Sequence, residues 1–135
     1  MLERRFRRDL ASLDEIFQFV ASYLKSRGLD PGHSTDVGLL IEEVFTNMLK
    51  YAKGGGREVA IGLGGSGSDV VITIRDFDVE SFDITAAPEA DIDRPLAERK
   101  AGGLGLHLVR RLADSIGYEY KDRSAIVTLT KRLVP

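Results

Sequence analysis

AGGLGLHLVRRLAD, residues 101–114, places three glycines within four positions, directly before an apolar run with helical spacing. Glycine costs a helix ~1 kcal/mol relative to alanine, so a helix that opens on Gly102, Gly103 and Gly105 needs bare backbone for another reason. Two explanations fit. The backbone N–H groups at the positive end of the helix dipole can wrap a phosphate, or the glycines can simply permit tight packing. The stretch is neither a G-K-[ST] phosphate loop nor a G-x-G-x-x-G turn after a strand.

The composition of the chain predicts one globular domain over residues 1–135. Its formal net charge is −2, so no general affinity for nucleic acid or for a membrane surface is expected. Cysteine is absent, which excludes disulfides, zinc–thiolate sites and cysteine nucleophiles. No apolar run is long enough to span a bilayer and no signal-like segment opens the chain, so a cytoplasmic location is expected. We interpret the basic cluster Arg4, Arg5, Arg7 and Arg8 as a solvated strand face.

Hydrophobic periodicity predicts the order strand, helix, helix, hairpin, long loop, helix, hairpin. Ser12 and Glu15 predict a capping box for the first helix, and Ser34 or Thr35 is the predicted cap of the second. Because two helices precede a hairpin, simple βαβ alternation fails. The predicted fold class is an α/β (α+β) two-layer sandwich, in which helices cover one face of a mixed, mostly antiparallel sheet. The predicted elements are a strand over 2–10, helices from about 13 to 28 and from about 34 to 51, a hairpin over 57–76, a lid-like loop over 77–100, a helix after the glycines and a hairpin over 118–133.

Three polar residues are candidates for chemistry. Glu43 and Asn47 lie four residues apart in the second predicted helix and share one face, whereas Glu42 points about 100° away. An amide oxygen is a hard ligand suited to Mg²⁺ and a carboxylate can act as a general base, although a solvated Glu beside a surface Asn fits the spacing too. Asp76 ends a predicted strand. A carboxylate facing a cleft there can accept a hydrogen bond from an exocyclic amine such as that of adenine, and an ordinary strand-terminating Asp is the alternative.

The order and separation of these features resemble the GHKL ATP-binding superfamily, and most of all its small anti-sigma-factor serine kinases of bacterial stress and sporulation control. LLIEEVFTNMLKYA (39–52) resembles their N box, ITIRD (72–76) the entry to their G1 box, and PLAERKAGGLGLHLVRRLAD (95–114) their G2 box. The resemblance covers almost the whole chain. It implies a Bergerat-type sandwich that holds Mg-ATP between helices and sheet.

The resemblance also implies roles for individual residues. It makes Glu43 the general base, Asn47 the Mg²⁺ ligand and Asp76 the adenine-reading aspartate, while Tyr51 stands where many relatives carry histidine. Arg99, just before the glycines, is implied to reach phosphate or a partner. The implied nucleotide-binding set is Asn47, Asp76, Asp78, Arg99, Gly102, Gly103, Leu104, Gly105 and Leu106.

The G1 box departs from the family pattern. Relatives read D-x-G-x-G or D-x-G, whereas DFDVESFD (76–83) carries Asp78 and Glu80 at glycine positions. The segment between Asp76 and Phe82 is also one residue longer than the family pattern, so Asp78 is an alternative to Asp76 as the aspartate in register. The alternation of apolar residues along the strand favours Asp76. Two added carboxylates oppose triphosphate binding, since a like-charged pair at ~6 Å and an effective dielectric near 20 costs about 3 kcal/mol.

Three functions fit the sequence. The preferred one is an ATP-dependent serine-protein kinase and anti-sigma regulatory factor that phosphorylates an anti-anti-sigma partner of the STAS type and controls a sigma factor. The second is a module that binds a sigma factor or another regulator with weak or no nucleotide binding, because the G1 box is altered. The third is a detached histidine-kinase catalytic domain, but there is no phosphoacceptor helix pair, and neither His33 nor His107 looks like a phosphoacceptor. Relatives form dimers, so a homodimer is also an expectation.

Overall fold

The computed structural model describes residues 1–81 and 109–133, which contain five strands, two α-helices and two short 3₁₀ turns at Leu10–Ser12 and Pro31–His33. Residues 109–112 are also helical. These elements follow the predicted order. Their bounds are β1 Leu2–Arg7, α1 Leu13–Ser26, α2 Ser34–Tyr51, β2 Glu58–Gly64, β3 Asp69–Asp76, β4 Ser115–Lys121 and β5 Ser124–Arg132.

The strands form one sheet in the order β1-β2-β3-β5-β4. Two hairpins, β2–β3 and β4–β5, supply four of its five strands, and β5 pairs with β3, so that β3 lies at the centre and β1 and β4 form the edges. The predicted two-layer sandwich is confirmed. The sheet is not mixed within residues 1–81 and 109–133, because every strand pairing there is antiparallel.

The helices bury one face of the sheet. Along β3 buried residues alternate with half-buried ones, as expected for a strand with one face in the core. The two helices approach closely because Gly38 of α2 has no side chain: a Cβ there would lie 2.2 Å from Cε1 of Phe17. No helix of the described ranges is both long and apolar enough to cross a membrane. The main inward-facing residues of α2 are Val37, Leu40, Ile41, Val44, Phe45 and Met48.

Both predicted helix caps are wrong, for one reason. The backbone of Ser12 is already helical, and its hydroxyl donates to the Arg7 carbonyl oxygen at 2.8 Å instead of capping α1. No side chain caps α2 either. The capping residues are Asp9 and Asp30, each of which accepts from the backbone amide two residues on at 2.9 Å. They cap short 3₁₀ turns that run into the α-helices, so the caps lie upstream of the residues at which helical periodicity begins.

Candidate functional site

A small cavity lies where the C-terminal half of α2 faces the end of β3. Its volume is about 10 Å³, roughly the space that one water molecule needs. Most of its lining residues are apolar and come from the end of α2 and from β5, whereas Asp76, Glu80 and Tyr118 are its polar residues. The lining residues are Met48, Ala52, Asp76, Glu80, Tyr118, Ala125 and Val127.

Asp76 is sealed from solvent and paired with an arginine. Its exposed fraction is 0%. Arg8 Nε donates to its Oδ1 at 2.9 Å and Arg8 Nη2 donates to its Oδ2 at 3.1 Å, which makes the pair bidentate. Arg8 Nη2 also donates to the carbonyl oxygen of Met48 at 2.9 Å. A buried carboxylate needs such charge-assisted bonds, because removing it from water is costly without them.

Arg8 is the site residue that the sequence interpretation missed. Its side chain is only 14% exposed, so the interpretation of the basic cluster as a solvated strand face is wrong for this arginine. The chain carries Arg8 past the end of β1, where its backbone amide donates to Arg57 O at 2.8 Å. Gly55 allows the guanidinium to lie close: its φ is +118°, and a Cβ there would lie 2.6 Å from Arg8 Cζ. The sequence held a weak signal for a buried arginine at this place. Asp76 ends an apolar strand and needs a counterion, and the run of glycines at 54–56 leaves room for a large side chain.

Glu43 and Asn47 lie one turn apart on α2, on the shared face that their spacing predicts. Asn47 is 4% exposed, and its Nδ2 donates to the Glu43 carbonyl oxygen at 2.6 Å. Burial raises the pKa of the Glu43 carboxyl above its ordinary value of 4.5; the neighbouring Glu42 carboxylate adds to the shift and Lys50 opposes it. A carboxylate with a raised pKa is a better proton acceptor near neutral pH.

The Asn47 side chain fits a cation that is already bound to phosphate. Its nitrogen is committed to Glu43, so the oxygen Oδ1 is the atom left to bind a ligand. The described residues contain no group of three or more His, Cys, Asp or Glu that could hold a metal. One amide oxygen suits Mg²⁺ when phosphate oxygens and water complete its coordination, whereas it would not suffice for a metal held by protein alone.

Backbone hydrogen bonds hold the segment after β3 from both sides. On one side, Gly55 N donates to Asp78 O at 2.8 Å and Glu80 N donates to Lys53 O at 2.9 Å. On the other, Val79 N donates to Arg123 O at 3.0 Å, in the turn that joins β4 to β5. Asp78 has a φ of +56°, the left-handed conformation that favours glycine. A residue in this conformation stands where the D-x-G pattern has its glycine, which is consistent with Asp76 in register as the first aspartate.

The two added carboxylates do not share the environment of Asp76. Asp78 and Glu80 are both exposed, although Glu80 also lines the cavity. Water and salt therefore screen them, and their repulsion of a bound triphosphate is closer to that of a surface pair, at most about 1 kcal/mol, than to the 3 kcal/mol expected for an unscreened pair.

Six of the predicted site residues lie outside the described residues: Arg99, Gly102, Gly103, Leu104, Gly105 and Leu106. His107, which was set aside as a phosphoacceptor, lies outside them too. Their roles stay predictions. Among the described residues, Glu43 and Asn47 lie one turn apart on α2, and Met48, the residue after Asn47, lines the same cavity as Asp76 at the end of β3.

Comparison with known proteins gives a family match over almost the whole chain. The family model described as histidine kinase-like ATPase domain matches residues 6–131. The serine-protein kinase RsbW of Halalkalibacterium halodurans is 28% identical over 102 residues, which make up 73% of this chain and 62% of that protein. The chain therefore spans less than two thirds of the length of this relative.

Solved structures share the fold. A chain of the SiaB–SiaC complex from Pseudomonas aeruginosa aligns with a TM-score of 0.58 and 21% identity, covering 97% of this chain and 88% of that one. The nucleotide-free catalytic domain of the histidine kinase ThkA aligns with a TM-score of 0.52 and 13% identity, covering 100% and 99%. These likenesses concern the fold alone, and they confirm the predicted fold class.

Proposed function

The chain belongs to the histidine kinase-like ATPase domain family, and we propose that it is an ATP-dependent kinase that phosphorylates a serine of an anti-anti-sigma partner. The proposal rests on two adjacent observations: Glu43 and Asn47 lie one turn apart on α2, and the next residue, Met48, lines a cavity with the buried Asp76 at the end of β3. The likeness to a serine-protein kinase supports the reaction, and the likeness to a chain that was solved in a two-protein complex supports a protein partner.

The base of ATP would bind at the end of β3. Asp76 supplies a buried acceptor for the exocyclic amine of adenine, and Met48 and Val127 supply apolar walls for the ring. Apolar walls with a few fixed polar groups are the usual composition of a cofactor pocket. The cavity of about 10 Å³ is far smaller than a purine, so we propose that its walls separate when the nucleotide enters.

The phosphates would extend from there along α2. Asn47 Oδ1 would hold Mg²⁺, which when bound neutralises phosphate charge. Glu43 would accept the proton of the partner serine as its hydroxyl oxygen bonds to the γ-phosphorus; the bond from the γ-phosphorus to the bridging oxygen breaks and ADP leaves. Such transfer depends mainly on positioning and charge stabilisation. We propose that the amides of residues 102–106, with Arg99, contact the phosphates.

The resemblance of the N, G1 and G2 boxes to those of anti-sigma-factor kinases supports a wider regulatory role. We propose that the chain also binds a sigma factor. A homodimer remains part of the proposal, since β1 is an edge strand of the sheet formed by residues 1–81 and 109–133 and could pair with a second copy there.

A second candidate is a module that binds a regulator without catalysis. Asp78 and Glu80 favour it, because they add negative charge where relatives with a D-x-G-x-G pattern have none. Under this alternative the fold and the family are unchanged, and the α2 face binds a protein and little or no ATP.

Transfer of labelled phosphate tests the proposal. The chain is incubated with ATP labelled at the γ-phosphate, Mg²⁺ and a single-domain anti-anti-sigma protein of the same organism. We expect label on a serine of that protein. We expect Glu43→Gln to lower the rate by about 100-fold or more, the typical contribution of a general base. The adjacent Glu42→Gln is the matched control and retains the rate.

Two results would contradict the kinase assignment. One is the absence of transfer by the wild-type chain, and the other is an equal rate for the wild type and Glu43→Gln. Absence of transfer together with tight binding of the partner would favour the non-catalytic module.

A further inference from the structure

Arg8 lies between two concave regions of the protein. It lines a surface concavity of about 620 Å³, whereas Asp76 lines the small cavity beside α2. Neither residue lines both. The ion pair therefore joins the two concave regions, with the guanidinium on one side and the carboxylate on the other. The residues that line the surface concavity are Arg7, Arg8, Asp9, Gly56, Arg57 and Glu58.

When paired with Arg8, the Asp76 carboxylate can still accept further hydrogen bonds. Each carboxylate oxygen takes one N–H from Arg8, at 2.9 and 3.1 Å. A carboxylate has about four lone-pair sites, so both oxygens keep capacity for a further donor. Asp76 itself lines the cavity, and among the described residues Arg8 is its side-chain donor, so we take the remaining capacity to face the cavity.

Arg8 is itself held on several sides. Its Nη2 also bonds to the Met48 carbonyl oxygen, and its backbone amide bonds to Arg57 O. Gly55 covers the guanidinium so closely that a side chain there would collide with it. Rotating the guanidinium would break its two bonds to Asp76 and its bond to the Met48 carbonyl oxygen together, so the plane of the Asp76 carboxylate is fixed. A lysine would place a single charge there and could not fix that plane.

We propose that Arg8 is a positioning residue that sets base selectivity: by fixing the Asp76 carboxylate from behind, it makes the cavity select purines that donate an amine proton. The inference rests on the proposed function, because it takes this cavity as the base site. Met48 also connects Arg8 to the cavity, since its carbonyl oxygen accepts a hydrogen bond from Arg8 and the residue lines the cavity.

Nucleotide discrimination tests the proposal. Titration calorimetry compares ATP with purine riboside triphosphate, which lacks the exocyclic amine, for the wild type, Arg8→Lys and the neighbouring control Arg7→Lys. The wild type should prefer ATP. Arg8→Lys should lose about tenfold in affinity for ATP and little for the analogue, as expected when one well-oriented bond to a charged group is weakened. Arg7→Lys should keep the wild-type ratio.

The ratio of the two affinities separates the possible outcomes. An unchanged ratio in Arg8→Lys, or an equal loss for both nucleotides, overturns the role of Arg8 and leaves nucleotide binding intact. Equal affinities of the wild type for both nucleotides also overturn it. Failure of the wild type to bind either nucleotide overturns the proposed function and this inference together.

A measurement on the wild type keeps the test decisive if Arg8→Lys does not fold. The Arg8 Nε–H gives its own signal in ¹⁵N NMR spectra. ATP should move that signal by clearly more than purine riboside triphosphate does at equal saturation, because only ATP donates to the carboxylate that Nε binds. Equal shifts would overturn the proposal.

Discussion

Asp76 and Asp78 are two residues apart, and the fold gives them opposite surroundings. Asp76 has no solvent exposure and is held by its side chain, through the bidentate pair with Arg8. Asp78 is exposed and is held by its backbone, in a left-handed conformation with its carbonyl oxygen bonded to Gly55 N. The carboxylate therefore matters for the fold at the first position, and the backbone matters at the second.

The site therefore has a buried end at Asp76 and a solvent-exposed end at Asp78, and electrostatic interactions are screened by water only at the second. At the sealed end, a fixed acceptor in a low-dielectric setting can discriminate between ligands by one hydrogen bond. At the exposed end, screened charges would change the affinity for the proposed triphosphate only modestly. Selectivity should therefore depend on the residues around Asp76, and the strength of binding should be adjustable at Asp78.

The largest effect should come from breaking the sealed pair. Asp76→Ala leaves the Arg8 guanidinium buried without its counterion, and we expect a loss of about 3 kcal/mol in the free energy of unfolding. The control is Asp69→Ala, which removes a pair with Arg132 whose side chains are 41% and 71% exposed. That change should cost less than about 1 kcal/mol. Equal losses in urea denaturation would contradict the contrast between buried and exposed pairs.

A smaller effect of opposite sign is expected at Asp78. Asp78→Gly removes the strain of a side chain in the left-handed conformation, and it should raise the free energy of unfolding by about 0.5–1 kcal/mol. Asp78→Asn tolerates the same conformation and should stay within about 0.5 kcal/mol of the wild type.

The same two variants separate charge from backbone in binding. Both remove one exposed negative charge, so both should raise the affinity for Mg-ATP about threefold at low salt, and the gain should shrink as salt is added. A gain for Asp78→Gly alone would assign the effect to the backbone and contradict the electrostatic account.

The smallest effect concerns Glu43 and has a defined pH dependence. Burial raises the pKa of its carboxyl above 4.5 in the fold, so the folded protein binds the proton more tightly than the unfolded chain does. The associated stability is present below pH 4.5 and is lost as the pH rises through the folded pKa.

Glu43→Gln removes this titration. It should slightly stabilise the protein at pH 7 relative to the wild type, and the difference should vanish below pH 4.5. Thermal unfolding at both pH values measures it. A variant that is less stable than the wild type at pH 7 would show that the ionised carboxylate is favoured by the fold.

The sequence predicts elements well where one face is buried. The alternation along β3 identified both the strand and Asp76 as its last inward residue, and helical spacing identified α1 and α2. It missed two kinds of feature: a side-chain pair between residues far apart in the chain, and helix caps that lie upstream of the helical periodicity. The pairing of Arg8 with Asp76 spans 68 positions, and within RRFRRD Arg8 resembles its exposed neighbours. The caps at Asp9 and Asp30 lie in 3₁₀ turns, which helical periodicity does not detect.

Calorimetric titration of the chain with ATP, with and without Mg²⁺, measures whether α2 and the end of β3 together bind a magnesium nucleotide. We predict micromolar binding of Mg-ATP by the wild type, and loss of the Mg²⁺ dependence in Asn47→Ala. No binding by the folded wild-type chain at millimolar ATP would contradict the proposed nucleotide site.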